Sequence, residues 1–227
     1  MMFVVRLRPR AEIDKVWDWV RRTLRGKKAD DVVPLYVSQR EDHHYVDTIL
    51  EAKDSEQLAN FLIKRVPRCK EIDDTRTVAL MKPAFYPVPA KAGQGAKRFA
   101  ISVSVSPRNY RSVYDHLIRM KVPEGVYLNY VAYEFGEHDI VVSSIAKDWS
   151  TIRKFVRERI RNLPGVTEAK AHLICRSQRL ASKSVWTRHQ KKYSVEKITG
   201  VAPKDKWEYD WTFMDECVVS GALPDEI

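Results

Sequence analysis

The sequence predicts an α+β protein made of two tandem βαββαβ units, and two observations carry that prediction. Strand-like and helix-like segments follow one another in the same order in residues 2–82 and 98–180, and a stretch rich in proline and glycine separates them. Such a unit builds a four-stranded antiparallel sheet with both helices on one face, so its other face needs cover. We therefore expect two ferredoxin-like units whose sheets pack face to face, in an arrangement like a dimeric α/β barrel.

The first unit is defined by hydrophobic periodicity and by breaker residues. Its segments in order are a strand at 3–7, a helix at 11–24, strands at 32–37 and 45–50, a helix at 54–66 and a strand at 75–80. In the helical segments the apolar residues recur in steps of three and four, which is typical of one buried helix face. Pro9 and Pro67 end the first strand and the second helix, and Asp54 is expected to cap that helix.

The second unit repeats this order of segments. They are a strand at 99–105, a helix at 110–120, strands at 126–135 and 139–145, a helix at 146–160 and a strand at 169–174. The tripeptide Ala52-Lys53-Asp54 aligns with Ala146-Lys147-Asp148 at an offset of 94 residues. At the same offset the apolar residues of the following helix also align, as Phe61 does with Phe155. These matches indicate an internal duplication.

The same patterns divide the chain into four parts. They are a first domain at 1–82, which is a degenerate copy of the unit, a linker at 83–97, a second domain at 98–181 and a C-terminal extension at 182–227. The extension is basic and aromatic at first and acidic from Trp207 onwards. Large aromatic side chains are costly to leave in water, so we expect those of the extension to pack on the core or on a neighbouring subunit. These residues are Trp186, Trp207, Trp211 and Phe213.

Two segments of the second domain carry a family resemblance. Residues 133–142 read Tyr-Glu-Phe-Gly-Glu-His-Asp-Ile-Val-Val, and residues 163–166 read Leu-Pro-Gly-Val at the end of a helix. The second domain thereby resembles the ligand-binding (effector) domain of the Lrp/AsnC family of transcription regulators, whereas the first domain lacks both motifs. Because the first strand begins at Phe3, we expect no helix-turn-helix of the kind that the family's regulators carry.

The resemblance implies an effector site, often for an amino acid, beside the glycine turn at a subunit contact. It points to four ligand-binding residues: Gly136, Glu137, His138 and Asp139. Gly136 would allow a positive φ and close approach of the backbone, and Asp139 would accept hydrogen bonds from an ammonium group. The alternative is that Gly136 only makes the turn and Asp139 only caps it.

We therefore expect a small-molecule effector-binding regulatory protein that acts through homo-oligomerisation and in transcription regulation, with no catalytic residue and no cofactor. The alternative is a nucleic-acid-binding, chromatin-associated module, because the formal net charge is +10 and basic residues cluster on predicted helices. Its candidate contacts are Arg21, Arg22, Arg25, Lys27, Lys28, Arg153, Arg157, Lys191 and Lys192. A third reading is an enzyme of the tetrapyrrole decarboxylase type, with His138 beside Asp139 as an acid–base site.

Other features exclude further classes of protein. The three cysteines are odd in number and lack a C-x-x-C pair, which argues against a disulfide framework and a zinc site. Adjacent His43 and His44 would point to opposite faces of a strand, so we expect no metal there. The sequence has neither a long apolar run nor a secretory signal, so we expect a cytoplasmic protein without membrane contact.

Overall fold

The fold is seen in a computed structural model, which describes residues 1–25, 32–42, 44–87, 96–136 and 138–200. The strands of this part are β1 (Met2–Pro9), β2 (Val33–Arg40), β3 (Val46–Glu51), β4 (Ile72–Phe85), β5 (Lys97–Val105), β6 (Val126–Phe135), β7 (Ile140–Ala146) and β8 (Val166–Arg179). Its α-helices are α1 (Ile13–Leu24), α2 (Ser55–Lys64), α3 (Tyr110–Leu117), α4 (Trp149–Phe155), α5 (Lys183–Lys192) and α6 (Val195–Thr199). Helix α4 continues into a π-helical turn at Val156–Ile160.

The strands close into one antiparallel barrel. Their order around it is β1-β3-β2-β8-β5-β7-β6-β4. Two seams join the first four strands to the last four: β2 pairs with β8, where Ser38 lies opposite Ser177, and β4 pairs with β6, where Leu80 lies opposite Glu134. The order β1-β3-β2 recurs four strands later as β5-β7-β6, so the two halves of the barrel follow the same path.

The expectation of two ferredoxin-like units with sheets packed face to face is therefore wrong. It treated each sheet as an open layer with one bare face. In the structure the outermost strands of the two halves hydrogen-bond to each other, so a single sheet curls round and its inner face surrounds a lumen. Side chains of the strands and of α5 fill that lumen. The predicted homo-oligomer, which rested partly on covering a bare face, stays a prediction.

Three apolar clusters follow from the alternation of side chains along the strands. Outside the barrel, one cluster packs α1 and α2 against β1, β2 and β3, and includes Val5, Trp17 and Phe61. A second packs α3 and α4 against the strands of the other half, around Phe99 and Phe155. The third lies inside the barrel and includes the inward-facing residues Val4, Ile49, Leu80, Val141 and Trp186. The lumen is thus apolar over part of its length.

Helix α5 closes the apolar end of the lumen. Trp186 is 4% exposed and meets the ring of Phe85 edge-on, with the ring centroids 6.2 Å apart. Glu51, the last residue of β3, accepts hydrogen bonds from His189 at 3.1 Å and from Lys192 at 2.7 Å, which ties α5 to the barrel. The expected packing of Trp186 on the core is confirmed. The other aromatic residues of the extension, Trp207, Trp211 and Phe213, lie outside the described residues.

The predicted domain boundaries remain predictions. The strand that ends the first half runs on to Phe85, three residues past the expected boundary at 82, and β5 begins at Lys97. Over the described ranges, no helix combines the length and the apolarity that crossing a membrane requires.

Candidate active site in the barrel lumen

The opposite end of the lumen is polar and buried. Alternation on the strands turns charged and hydroxyl side chains inwards beyond the apolar cluster. Those that line the central cavity are the buried residues Arg6 (β1), Ser38 and Arg40 (β2), Asp47 (β3), Arg98 and Ser102 (β5), Glu134 (β6) and Ser143 (β7), together with the half-buried Tyr130 (β6). Three guanidinium groups therefore share the space with two carboxyl groups, which leaves an excess of positive charge away from water.

Arg6 is the centre of an ion-pair network in this part of the lumen. Its Nη2 donates to Glu134 Oε1 at 2.8 Å, and its Nε lies 3.6 Å from Asp47 Oδ1. Arg40 Nε lies 3.4 Å from Asp47 Oδ2, so Asp47 stands between two guanidinium groups. Burial raises the pKa of Asp47 and of Glu134, and the neighbouring arginines oppose that rise. The arginines stay charged whichever state the carboxyl groups adopt.

Arg40 has a guanidinium donor that no described residue satisfies. Within residues 1–25, 32–42, 44–87, 96–136 and 138–200, its Nη2 atom is buried without a hydrogen-bond partner, and the residue is only 4% exposed. A buried guanidinium donor left unpaired costs free energy, about 1–3 kcal/mol or more for a charged group. The cavity beside it has a volume of about 50 Å³. That is room for a few water molecules or for one small anionic group.

A chain of hydrogen bonds reaches the same cavity from the side. His172 Nδ1 lies 2.5 Å from Asp42 Oδ2, and His172 Nε2 lies 3.0 Å from Ser102 Oγ. Asp42 belongs to the turn between β2 and β3, and the other two residues lie on the paired strands β8 and β5. His172 is 5% exposed, so Ser102 is the member of the chain that lines the cavity.

The electrostatic setting keeps His172 neutral near pH 7. Burial lowers the pKa of His172, Arg40 and Lys170 lower it further, and Asp42 opposes the shift. The neutral ring then donates from Nδ1 to Asp42 and accepts the Ser102 hydroxyl proton at Nε2. Once protonated, it would donate from both nitrogens, and the Ser102 hydroxyl would direct its proton either to the Lys170 backbone carbonyl, 3.4 Å away, or into the cavity. The arrangement can therefore deliver a proton into the lumen.

The residues of the predicted effector site lie at the turn between β6 and β7. Gly136 has φ +126°, as expected for a turn glycine, and Glu137 lies outside the described residues. Asp139 accepts from the Val105 backbone N–H and from the Tyr110 hydroxyl, each at 2.6 Å. Both of its oxygens thus hold the end of β5 and the start of α3, and a ligand-binding role for Gly136, Glu137, His138 and Asp139 stays a prediction.

His138, beside this turn, belongs to the polar mouth of the barrel. Burial lowers its pKa first, and the positive charges of Arg6 and Arg40 lower it further. Asp139 hydrogen-bonds to β5 and α3, and the acid–base site of His138 beside Asp139 stays a prediction.

The residues proposed to contact nucleic acid lie on three separate helices. Arg21 and Arg22 are on α1 and Arg25 follows it, Arg153 is on α4 with Arg157 in the π-helical turn after it, and Lys191 and Lys192 end α5. Arg153 lies over the ring of Trp149 at 5.2 Å. Lys27 and Lys28 fall outside the described residues. The role of all these arginines and lysines in binding nucleic acid stays a prediction.

Sequence reasoning missed the lumen residues. A signal was present: Arg6 interrupts the apolar run from Phe3 to Leu7, and a charged residue in a buried strand needs a partner. Alternation would have placed Arg6 and Val4 on one face. The partners Asp47 and Glu134 lie 41 and 128 positions further along the chain, and only the closed barrel brings them together.

Comparisons with known proteins place this geometry in context. No family model matches the chain, and no curated protein sequence matches it. The solved structure of siroheme decarboxylase NirDL in complex with an iron-uroporphyrin III analogue has a TM-score of 0.51 at 8% identity, covering 89% of this chain and 80% of that chain. An anthrone oxidase-like protein has a TM-score of 0.47 at 11% identity, covering 80% and 94%. AsnC from E. coli has a TM-score of 0.30 at 12% identity, covering 54% and 72%.

These findings correct the functional expectations. Similarity to siroheme decarboxylase NirDL extends over 89% of this chain at a TM-score of 0.51, and over 85% of it in a second NirDL structure at a TM-score of 0.50. The expectation of an effector-binding transcription regulator is therefore wrong, and so is the expectation that the chain is not an enzyme. The physical reason lies in the fold, since the closed barrel encloses a polar site that the sequence reading did not include.

Proposed function

We propose that the protein is an enzyme that binds a carboxylate-bearing substrate at the polar end of the lumen and transfers a proton to it. One observation carries the proposal. Arg40, whose Nη2 has no hydrogen-bond partner among the described residues, and Ser102, at the end of the chain from Asp42 through His172, line the same small cavity. A site for negative charge and a source of protons thus lie side by side.

Each residue of the site has a separate role in the proposed reaction. Arg40 would bind the carboxylate by charge-assisted hydrogen bonds, which are stronger than neutral ones. In the molecules whose His172 is protonated, a minority near pH 7, Ser102 would give its hydroxyl proton to the substrate carbon and take a proton from Nε2 of the imidazolium. Asp42 would hold the ring in position and stabilise the imidazolium. Arg98, whose guanidinium donates to Ser177 Oγ at 2.6 Å, adds positive charge to the wall of the cavity.

Decarboxylation is the reaction that this arrangement suits best. The bond between the carboxylate and its neighbouring carbon breaks, carbon dioxide leaves, and the electron pair on the carbon takes the proton from Ser102. The fold is shared with a siroheme decarboxylase over 89% of the chain, which supports this choice. A tetrapyrrole ring is far larger than the cavity of about 50 Å³, so only a side-chain carboxylate of such a molecule would enter the lumen.

Binding is tested with acetate on the full-length protein, with arginine labelled for NMR. Titration should shift the Arg40 guanidinium resonance to saturation, and Arg40→Gln should remove that resonance and the binding. Arg159→Gln takes the same charge from an exposed helical position and should leave binding unchanged. If acetate produces no saturable shift in the unaltered protein, the proposal is wrong.

Catalysis is tested with a pyrrole that bears an acetate side chain, in heavy water. The carboxyl carbon of that side chain carries an isotopic label. The expected products are labelled carbon dioxide and a methyl group that carries one deuterium. Ser102→Ala and His172→Gln should abolish both, whereas Ser184→Ala, an exposed hydroxyl on α5, should not. Unchanged turnover in the Ser102 and His172 variants would place the chemistry elsewhere.

Acyl transfer is a second candidate, because a serine, a histidine and an aspartate joined in this order also activate a serine nucleophile. Ser102 Oγ would attack a substrate carbonyl, His172 would take its proton and pass it to the leaving group, and water would release the acyl group. A fluorophosphonate reagent distinguishes the two candidates. Covalent labelling of Ser102 favours acyl transfer, and an unlabelled Ser102 favours proton transfer.

The Lrp/AsnC resemblance of the second half and the repeated strand order together support a further proposal, that the two halves of the barrel arose by duplication. The observed repeat of the path β1-β3-β2 as β5-β7-β6 favours it. So do two matching helix caps, since Asp54 accepts from Gln57 N and Asp148 accepts from Thr151 N.

A further inference from the structure

We infer that the substrate carries two anionic groups and that Arg76 binds the second one in an outer chamber at the mouth of the lumen. This inference rests on the proposed function, in which Arg40 binds the first group. It adds a substrate class, small dicarboxylates and ring systems with two acidic side chains, and it names a residue that selects for that class.

The outer chamber adjoins the inner cavity. It has a volume of about 270 Å³ and is lined by Arg6, Arg76, Thr77, Val78 and Gly136. Arg6 also lines the inner cavity, so one side chain separates the two spaces. Arg6 is held in place by Glu134 and Asp47, so its side chain has a fixed position where the two spaces meet. We infer that a molecule with one end at Arg40 extends beside the Arg6 side chain into the chamber.

Register places Arg76 on the same face of the sheet as Arg6. The two residues lie directly opposite each other on the paired strands β4 and β1, and directly opposed residues point to the same side. Arg6 points into the lumen, so Arg76 points towards its mouth, where it is exposed. The chamber therefore has a second guanidinium group beyond the first.

Arg76 is available to a ligand. Within the described residues its recorded interaction is with the ring of Tyr45, whose centroid lies 5.7 Å from the guanidinium carbon. No carboxylate of that part of the chain pairs with it, whereas Arg8, its near neighbour at the mouth, pairs with Asp73 at 2.8 Å. The aromatic contact orients the guanidinium without neutralising its charge.

Gly136 keeps the chamber open. Its backbone forms part of the wall, and a Cβ atom added there would lie 3.4 Å from Thr77 O and 3.7 Å from Val78 Cγ2. With a glycine at this position, no side chain of residue 136 narrows the space in front of Arg76. Burial, and after it the positive charges of Arg6 and Arg40, lower the pKa of nearby His138.

The volumes of the two spaces indicate which part of the substrate each one holds. The inner cavity of about 50 Å³ accommodates one carboxylate, and the chamber of about 270 Å³ accommodates the rest of a small molecule. Two arginines, one in each space, match two acidic groups joined by a short spacer. A monocarboxylate would leave Arg76 without a partner in the complex.

The experiment compares acetate, succinate and glutarate by calorimetry on the full-length protein and three variants. In the unaltered protein at least one dicarboxylate should bind about tenfold or more tightly than acetate, as expected for one additional charge-assisted contact. Arg76→Gln should remove this advantage and leave acetate binding unchanged. Arg76→Lys, which keeps the charge, should restore part of the advantage, and Arg159→Gln should alter neither affinity.

The outcomes separate this inference from the proposed function. If acetate binds and no dicarboxylate binds more tightly, the second subsite is wrong while the first stands. If Arg76→Gln weakens the binding of acetate and of the dicarboxylates equally, Arg76 acts only through the overall positive electrostatic potential, and the inference is also wrong. If acetate itself does not bind to the unaltered protein, the proposed function fails.

Discussion

Arg6 and Glu134 are joined across the lumen by a hydrogen bond of 2.8 Å, although 128 residues separate them in the chain. Their side chains are 5% and 3% exposed. Arg8 and Asp73 form an ion pair of the same 2.8 Å length at the surface, where their side chains are 44% and 43% exposed. The two pairs have the same length, and each arginine has a second carboxylate nearby, so burial is the main difference between them.

Loss of Glu134 should therefore destabilise the protein far more than loss of Asp73. Glu134→Ala leaves a buried guanidinium group with one carboxylate partner fewer, and we expect a cost of about 3–5 kcal/mol in the free energy of unfolding. Asp73→Ala should cost about 0–1 kcal/mol, because water screens the exposed pair. Denaturant unfolding of both variants measures the difference, and equal costs would contradict it.

Trp186 should be a major source of stability for the closed end of the barrel. Trp186→Ala removes a buried indole that packs against Phe85 and Tyr36, and we expect a loss of about 3–5 kcal/mol. Ile63→Ala serves as the control, since Ile63 is 72% exposed and its loss should change stability by no more than about 0.5 kcal/mol. Thermal unfolding compares the two. A Trp186 variant as stable as the Ile63 variant would show that α5 does not close the lumen.

Docking of α5 should weaken in acid. Hydrogen bonds from His189 and Lys192 lower the pKa of Glu51 from its ordinary 4.5 to about 2. Because the folded value is the lower one, the stabilisation is complete above pH 4.5 and is lost as the pH falls towards 2. Fluorescence of the tryptophans during unfolding at several pH values would record this. In the Glu51→Gln variant, the loss of stability in acid should be absent. If this variant still loses stability in acid, another carboxylate is responsible.

Gly165 should tolerate a side chain less well than Gly125. Both have positive φ, at +89° and +81°, so alanine strains each backbone by about 1–2 kcal/mol. A Cβ at Gly165 would also lie 2.3 Å from Asn109, whereas one at Gly125 would meet nothing within 4 Å. We expect Gly165→Ala to cost more than Gly125→Ala in the free energy of unfolding. Adding Asn109→Gly, which removes the clashing Cβ together with the rest of the side chain, should recover part of that excess, and a double variant no more stable than Gly165→Ala would contradict the clash.

Local elements were predictable because their signals lie within a few residues. Asp54 was expected to cap a helix, and its Oδ1 accepts from Gln57 N at 2.9 Å as the first turn of α2 begins. The strand expected at 126–135 has those limits in the structure. In both cases the information is contained in periodicity and in one side chain that competes for backbone N–H groups.

Barrel closure and the lumen site were not predictable in this way. The seam that pairs Ser38 with Ser177 joins residues more than a hundred positions apart, and periodicity says nothing of which strand edges meet. Ser102, His172 and Asp42 come from β5, β8 and a turn, and each looks ordinary in its own segment. The prediction instead followed the glycine turn, a local motif whose Asp139 holds α3 to β5.

Closure of the ring also bears on how the protein meets other chains. Each of the eight described strands is hydrogen-bonded along both edges. This sheet therefore has no free edge to which a peptide could add as a further strand. Recruitment by strand addition, and aggregation by the same route, would first require a seam such as β4–β6 to open. The surfaces that remain for a partner to bind are the helical exterior and the polar mouth of the barrel.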